Sequence, residues 1–148
     1  MSAREKPPLP RLDDFPVKAM DTIRYGDTDK IGHVNNAVFS TFLETGRTRL
    51  LWNEAGHVAP ESASFVLARL VIDYRAEMFW PGEAHIGTGV LSVGRSSITL
   101  VQAIFQGERC TATAETVLVL FDTETRRPMP LSDEGRALLD RLVVHPPA

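Results

Sequence analysis

The chain has 148 residues, which is room for one hydrophobic core and not for two domains. Apolar types make up 43% and charged types 24%, values that exclude a disordered or collagen-like chain, and a net charge of -3 argues against a surface built to neutralise the nucleic-acid backbone. The single cysteine, Cys110, removes any intramolecular disulfide and any cysteine-based zinc site, a usage that suits a reducing compartment.

The N-terminal stretch MSAREKPPLPRLDDF carries no apolar run of the signal-peptide kind, and no run of 18 apolar residues occurs further on. These features predict a soluble cytoplasmic protein with an unanchored arm over residues 1–16, one domain over 17–143 and a tail over 144–148. Val17 to Tyr25 reads as a first strand. GDTDKIGHVNN follows, rich in Gly, Asp and Asn, which is turn and cap chemistry. From Asn36 to about Glu54 the pattern is helical, with Phe39, Phe42, Leu43, Gly46 and Leu50 on one stripe. A glycine inside that stripe lowers helix propensity by ~1 kcal/mol. It predicts that the helix backbone comes close to a sheet at Gly46. Gly56 stands where a C′ glycine would stop the helix.

The remainder reads as strands. Phe65 to Arg75 alternates, with Val66, Ala68, Leu70, Ile72 and Tyr74 on one face and Arg69, Asp73 and Arg75 on the other. Pro81-Gly82 marks a turn, Ala84 to Val93 a strand ended by Gly94, and Ser97 to Phe105 another strand. Gln106-Gly107-Glu108 marks a hairpin turn, and Thr111 to Phe121 the last strand. Ser132 caps a short helix that carries Leu138, Leu139 and Leu142 on one side. A strand, a long helix, successive strands with short connections and a small helix predict an α+β domain with an antiparallel sheet. Such a sheet has edges to protect, and pairing with a second copy is a common solution.

The chemistry concentrates in Ile23 to Asn36, where Asp27 and Asp29 stand just before the helix. A helix N-terminus offers unpaired N–H groups and a positive partial charge that can hold a developing oxyanion. A carboxylate beside it can attack a carbonyl or activate water against one, and Gly32 allows the loop to bend back so that the two converge. The same spacing also suits an Asp-rich turn whose side chains only cap the helix. His57, His85 and His145 show no paired ligand spacing, so no metal site is expected from them.

RYGDTDKIGHVNNAVFSTFLETGR resembles the signature of the hotdog-fold acyl-CoA thioesterases of the 4-hydroxybenzoyl-CoA thioesterase type. Pro81-Gly82-Glu83, Gly94-Arg95-Ser96-Ser97 and Thr125 to Pro130 resemble later turns of that family, so the likeness spans roughly residues 17 to 140. It implies the hotdog fold, a long helix packed on a five-stranded antiparallel sheet, and hydrolysis of an acyl-CoA, or of an acyl carrier protein thioester, without metal or cofactor. Carried over by position, Asp29 matches the catalytic aspartate and Asn36 the residue whose backbone N–H polarises the carbonyl. Asp27 matches a supporting acid, and Glu44 a helix acid that either supports the site or pairs with Arg47. Gly32, His33 and Val34 of the loop, with Arg95, Ser96 and Ser97 of the later turn, are candidates for substrate binding. The HVNN form also resembles the plant acyl-carrier-protein thioesterases, but Ile31 stands where those often carry an Asn. The resemblance further implies a homodimer or homotetramer with the site at a subunit interface. Two other readings compete with hydrolysis: a non-catalytic acyl-CoA binding module, and a hotdog hydratase or dehydratase, whose His-containing motif is missing here.

Overall fold

The computed structural model describes residues 8–53 and 56–144. In chain order the elements are β1 (Val17–Ile23), α1 (Asn36–Leu51), the two-residue strands β2 (Trp52–Asn53) and β3 (Gly56–His57), β4 (Ala63–Tyr74), β5 (Gly82–Val93), β6 (Ser97–Gln106), β7 (Arg109–Asp122) and α2 (Asp133–Asp140). Short 3-10 turns cover Leu12–Asp14 and Tyr25–Asp27. The five long strands form one antiparallel sheet in the order β1-β5-β6-β7-β4, while β2 and β3 pair with each other. This is the hotdog architecture expected from the sequence, with α1 packed on β1, β5 and β6 and the smaller α2 on β5.

The apolar stripe decides how α1 sits. Phe39, Phe42, Leu43, Gly46 and Leu50 are all buried, as their spacing requires. Gly46 is where helix and sheet approach. A Cβ there would stand 2.5 Å from Ile86 Cγ2, 2.6 Å from Thr88 Oγ1 and 2.8 Å from Gln102 Nε2. The gap lets the buried Gln102 amide donate to the Leu43 carbonyl and to Thr88 Oγ1, both at 2.9 Å, while its oxygen accepts from the Thr116 hydroxyl. A buried amide is thereby satisfied, and it ties the middle of α1 to the sheet. Arg47 also lies on the buried side, and its Nη1 has no hydrogen-bond partner among the described residues. Burial pulls its pKa down from the ordinary arginine value, and the charge of Glu44 acts against that.

Four readings of the sequence are corrected. β1 ends at Ile23 rather than Tyr25, because Asp27 turns the chain at Arg24. α1 ends at Leu51 rather than near Glu54, which lies outside the described residues. Trp52 turns extended and pairs with His57, ring on ring, and Gly56, at φ +130°, sits opposite Asn53 instead of capping the helix. β4 does not keep one alternation. The register against β7 shifts between Leu67 and Arg69, so one residue is extra there and the faces exchange. Ala63 and Phe65 meet the core before this bulge, and Leu70 and Ile72 after it. Val66, expected inside, is exposed, and Tyr74 keeps the face of Leu70 and Ile72 against Phe39 but is half exposed at the strand end.

The arm is anchored at its end. Phe15 is buried against Phe105, with ring centroids 6.5 Å apart, and a Cβ on Gly87 would collide with its ring. Residues 12–15 therefore cover part of the sheet face opposite α1. Cys110 is buried in the same cluster, and burial pushes its thiol pKa up. Residues 1–7 of the arm and 145–148 of the tail lie outside the described residues.

Candidate active site

The loop between β1 and α1 is built by its own polar groups. The Arg24 N–H donates to Asp27 Oδ2 at 2.8 Å and the Asp27 N–H returns to the Arg24 carbonyl at 2.9 Å, which closes a turn. The Asn35 N–H donates to the Asp27 carbonyl at 2.8 Å, so the chain folds back on itself. Asn35 then caps α1, its Oδ1 accepting from the Ala37 N–H at 3.0 Å. Asp27 therefore holds a turn through both its carboxylate and its backbone.

Asp29 stands at the head of the inner loop. Its N–H donates to the His33 carbonyl at 2.7 Å, and its Oδ1 accepts from the N–H groups of Ile31 at 2.9 Å and His33 at 3.2 Å. Oδ2 has no partner among the described residues. The reversal between Asp29 and His33 passes through Gly32 at φ +89°, a left-handed conformation that disfavours residues with a side chain. No atom lies within 4 Å of a Cβ built there, so backbone conformation and not space demands the glycine. The Val34 N–H donates to the Met78 carbonyl at 2.9 Å, and His33 lies opposite Phe79 in a one-residue bridge.

Asn36 is the first residue of α1. Its N–H donates to no group among the described residues and stands at the positive end of the helix. A cleft of about 390 Å³ opens beside it, lined by Asp29, His33, Val34, Asn36 and Phe39 together with Tyr74, Arg75 and Glu77 from the end of β4 and beyond. The fold thus brings together a carboxylate with one free oxygen and a free helix N-terminal N–H. His33 Nδ1 lies 3.3 Å from Glu77 Oε1, and its ring meets Phe79 edge to face at 5.1 Å. The Tyr74 hydroxyl donates to the Asn36 carbonyl at 3.0 Å. Arg75 Nε donates to Thr113 Oγ1 at 3.2 Å, and its Nη2 lies 3.7 Å from Asp73.

The other residues proposed from the sequence lie elsewhere in the chain. Glu44 lines a separate depression with Thr48, Arg49 and Trp52, and no ion pair within 4 Å joins it to Arg47. Arg95, Ser96 and Ser97 form the turn between β5 and β6, where the Gly94 N–H donates to the Ser97 carbonyl at 2.8 Å. This turn lies at the far end of the sheet from the cleft, since β5 runs from Gly82 beside the loop to Val93 beside the turn. Tyr74, Arg75 and Glu77 were not legible as site residues. Alternation put Tyr74 in the core, and what carries this segment to the helix start is long-range contact, from Tyr74 to Asn36 and from residues 78 and 79 to the loop. Among the described residues no three His, Cys, Asp or Glu side chains converge as a metal site, and no helix is long and apolar enough to cross a membrane.

Residues 23–140 match the model of the thioesterase-like superfamily. The chain belongs to that superfamily. The matched part of this thioesterase-like chain includes both loop aspartates, the start of α1, the cleft and the Arg95 turn, and leaves out the Phe15 anchor. Solved structures agree. A Thermus thermophilus thioesterase complexed with coenzyme A and zinc is 30% identical, with a TM-score of 0.76 over 88% of this chain and 96% of that one. A predicted thioesterase from Bacillus stearothermophilus is 27% identical, with a TM-score of 0.77 over 88% and 98%. A Pseudomonas aeruginosa protein shares the fold at a TM-score of 0.82 over 95% and 100%, with 23% identity. No protein of curated function matches the sequence.

Proposed function

We propose that this chain hydrolyses the thioester of an acyl-CoA to a free acid and a thiol, with Asp29 and the backbone N–H of Asn36 carrying the reaction. The observation behind this reading is that Asp29 and Asn36 line one cleft in a thioesterase-like chain, and that the Asp29 Oδ2 and the Asn36 N–H have no partner among the described residues. The thioester oxygen accepts from the Asn36 N–H, so charge developing there meets the positive end of α1. Asp29 takes the proton of a water that adds to the carbonyl carbon, or adds itself to give a mixed anhydride that water then cleaves. In both routes the C–S bond breaks and its electron pair leaves on sulfur, which is protonated to the thiol. Single turnover in ¹⁸O-water that leaves the label in Asp29 identifies the anhydride route, with water opening it at the aspartyl carbonyl, because general-base hydrolysis labels only the released acid. The aspartate ahead of the helix supports the 4-hydroxybenzoyl-CoA thioesterase type, whereas a helix carboxylate would have to come from Glu44, which lines another depression. Coenzyme A bound to the Thermus thermophilus relative supports CoA as the carrier.

The reading includes a homodimer formed edge to edge. β4 is an edge strand of 12 residues with Val66, Leu67, Val71 and Tyr74 exposed, and an open apolar edge invites another strand. Antiparallel pairing of two β4 strands lays the Ala63 end of the second copy beside the Tyr74 end of the first. The Arg95 turn lies at that Ala63 end, since Ser97 pairs with Val119 and Ala63 with Asp122 of the same strand. The second copy thus supplies Arg95, Ser96 and Ser97 to the cleft for the substrate.

The experiment is a panel of aliphatic and aromatic acyl-CoAs assayed for released thiol, with light scattering of the same sample. Hydrolysis that Asp29→Asn removes, by a protein of twice the chain mass, supports the proposal. Binding of acyl-CoA without hydrolysis across the panel points to a non-catalytic module, and a monomer at micromolar concentration defeats the dimer.

A further inference from the structure

We infer that Gln106, the last residue of β6, is a positioning residue for the Asp29 loop, an inference that rests on the role given to Asp29 above. Its side-chain amide meets the Phe79 backbone as a strand would. The Phe79 N–H donates to Gln106 Oε1 at 3.0 Å, and Gln106 Nε2 donates to the Phe79 carbonyl at 2.7 Å. Phe79 is half exposed, so water would satisfy both backbone groups if the amide were absent. The two bonds therefore fix where the segment lies rather than rescue buried polar groups.

That placement passes to the site through contacts of the backbone. Phe79 lies opposite His33, and the preceding Met78 carbonyl accepts from the Val34 N–H. His33 in turn exchanges both of its backbone groups with Asp29, accepting from the Asp29 N–H and donating to Oδ1. The outer side of the Asp29 loop thus leans on residues 78 and 79, and these lean on Gln106. A second observation comes from β5. A Cβ on Gly82 would stand 2.7 Å from Gln106 Nε2, so a side chain there would push the amide off Phe79. A misplaced catalytic group costs rate steeply, which is why a remote clamp matters.

The test compares Gln106→Leu and Gln106→Glu with the wild type on the best acyl-CoA, with Asp29→Asn alongside. Gln106→Leu is expected to lower kcat about tenfold with KM and melting temperature near wild type. In Gln106→Glu a neutral carboxylic acid can still accept from the Phe79 N–H and donate to its carbonyl. The ionised form turns a charge onto that carbonyl. The activity of Gln106→Glu relative to wild type should therefore rise as pH falls toward the glutamate range, about 4.3. Melting temperatures across the same pH range separate positioning from stability, because a role in stability alone would make activity follow the melting temperature. Wild-type kcat in Gln106→Leu, a loss matched by unfolding, or a relative activity of Gln106→Glu that is flat with pH each overturns the inference. The reading of Asp29 fails separately, through an active Asp29→Asn.

Discussion

The Tyr74 hydroxyl at the end of β4 donates to the carbonyl of Asn36, the first residue of α1, at 3.0 Å. The bond joins the sheet edge to the helix end that lines the cleft, and the Tyr74 ring also meets Phe39 edge to face at 5.2 Å. Tyr74→Phe keeps the ring contact and loses only the hydroxyl. A single exposed hydrogen bond is worth ~0.5–1.5 kcal/mol, so kcat should fall by at most ~10-fold while the melting temperature moves by a few degrees. Steady-state kinetics with a thermal melt checks this. A loss as large as that of Asp29→Asn would assign the phenol a direct part in the reaction.

The three acids should separate in kinetics. Asp29→Asn is nearly isosteric and keeps an oxygen for the Ile31 and His33 N–H groups, so the fold should survive while kcat drops by ~10²–10⁴. Asp27→Asn weakens the bond from the Arg24 N–H and should show a lower melting temperature with a milder loss of rate. Glu44→Gln should keep most of the turnover, because Glu44 lies outside the cleft. Purified variants assayed on one substrate, with circular dichroism as the folding control, decide it. A dead Glu44→Gln beside an active Asp29→Asn would move the chemistry to the helix carboxylate.

What the sequence revealed and what it hid follow from how local each feature is. Gly32, the Asn35-Asn36 start of α1 and the Gly46 contact are set by neighbours in the chain or by one helical stripe, so pattern alone finds them. The bulge in β4 adds one residue without any glycine or proline to announce it, and this reversed the expected facing of Val66, whereas Tyr74 keeps the face of Leu70 and Ile72 and is exposed because it ends the strand beside the cleft. Tyr74 and Glu77 join Asp29 through contacts of residues 74–79 with the loop and the start of α1, at a separation that no spacing rule spans. The isolation of the Arg95 turn has the same origin, since it is one chain that places the turn and the cleft at opposite sheet ends.

Gly46→Ala tests the helix seat. The added methyl would meet Ile86, Thr88 and Gln102 at 2.5–2.8 Å, and two of those belong to the buried amide network. The gain in helix propensity, ~1 kcal/mol, is outweighed by overpacking of ~1–3 kcal/mol together with damage to the Gln102 bonds. The expected result is a lower denaturation midpoint with an unchanged slope. A midpoint equal to or above wild type would mean that α1 shifts freely on the sheet.

Arg47→Met should not destabilise the protein. The guanidinium is buried, its Nη1 is unpartnered among the described residues, and burial already disfavours its charge. Replacing a buried ion by an apolar side chain of similar volume is neutral or stabilising by ~1–4 kcal/mol. Chemical denaturation of the variant measures this directly. A loss of stability would show that the arginine gains an acceptor in the assembled protein, and a matching loss of the dimer in light scattering would place that acceptor on the second copy.

The role of the amide at position 36 can be isolated from that of its side chain. Asn36→Ala keeps the N–H and should retain much of the activity, because Asn35 and not Asn36 provides the cap. Asn36→Pro removes the N–H at the first helical position, where proline is tolerated since that N–H has no helical partner. The preceding Asn35 already has φ -58° and ψ 136°, the extended conformation that a following proline demands. The fold should therefore accept the substitution, and the Tyr74 bond to the residue 36 carbonyl remains available. Loss of one oxyanion donor should then lower kcat by ~10²–10³ with little change in melting temperature. Kinetics and melts of the two variants side by side settle the point. Equal losses in both, with folding intact, would transfer the work to the Asn36 side chain, and near-wild-type activity in Asn36→Pro would remove the helix amide from the mechanism.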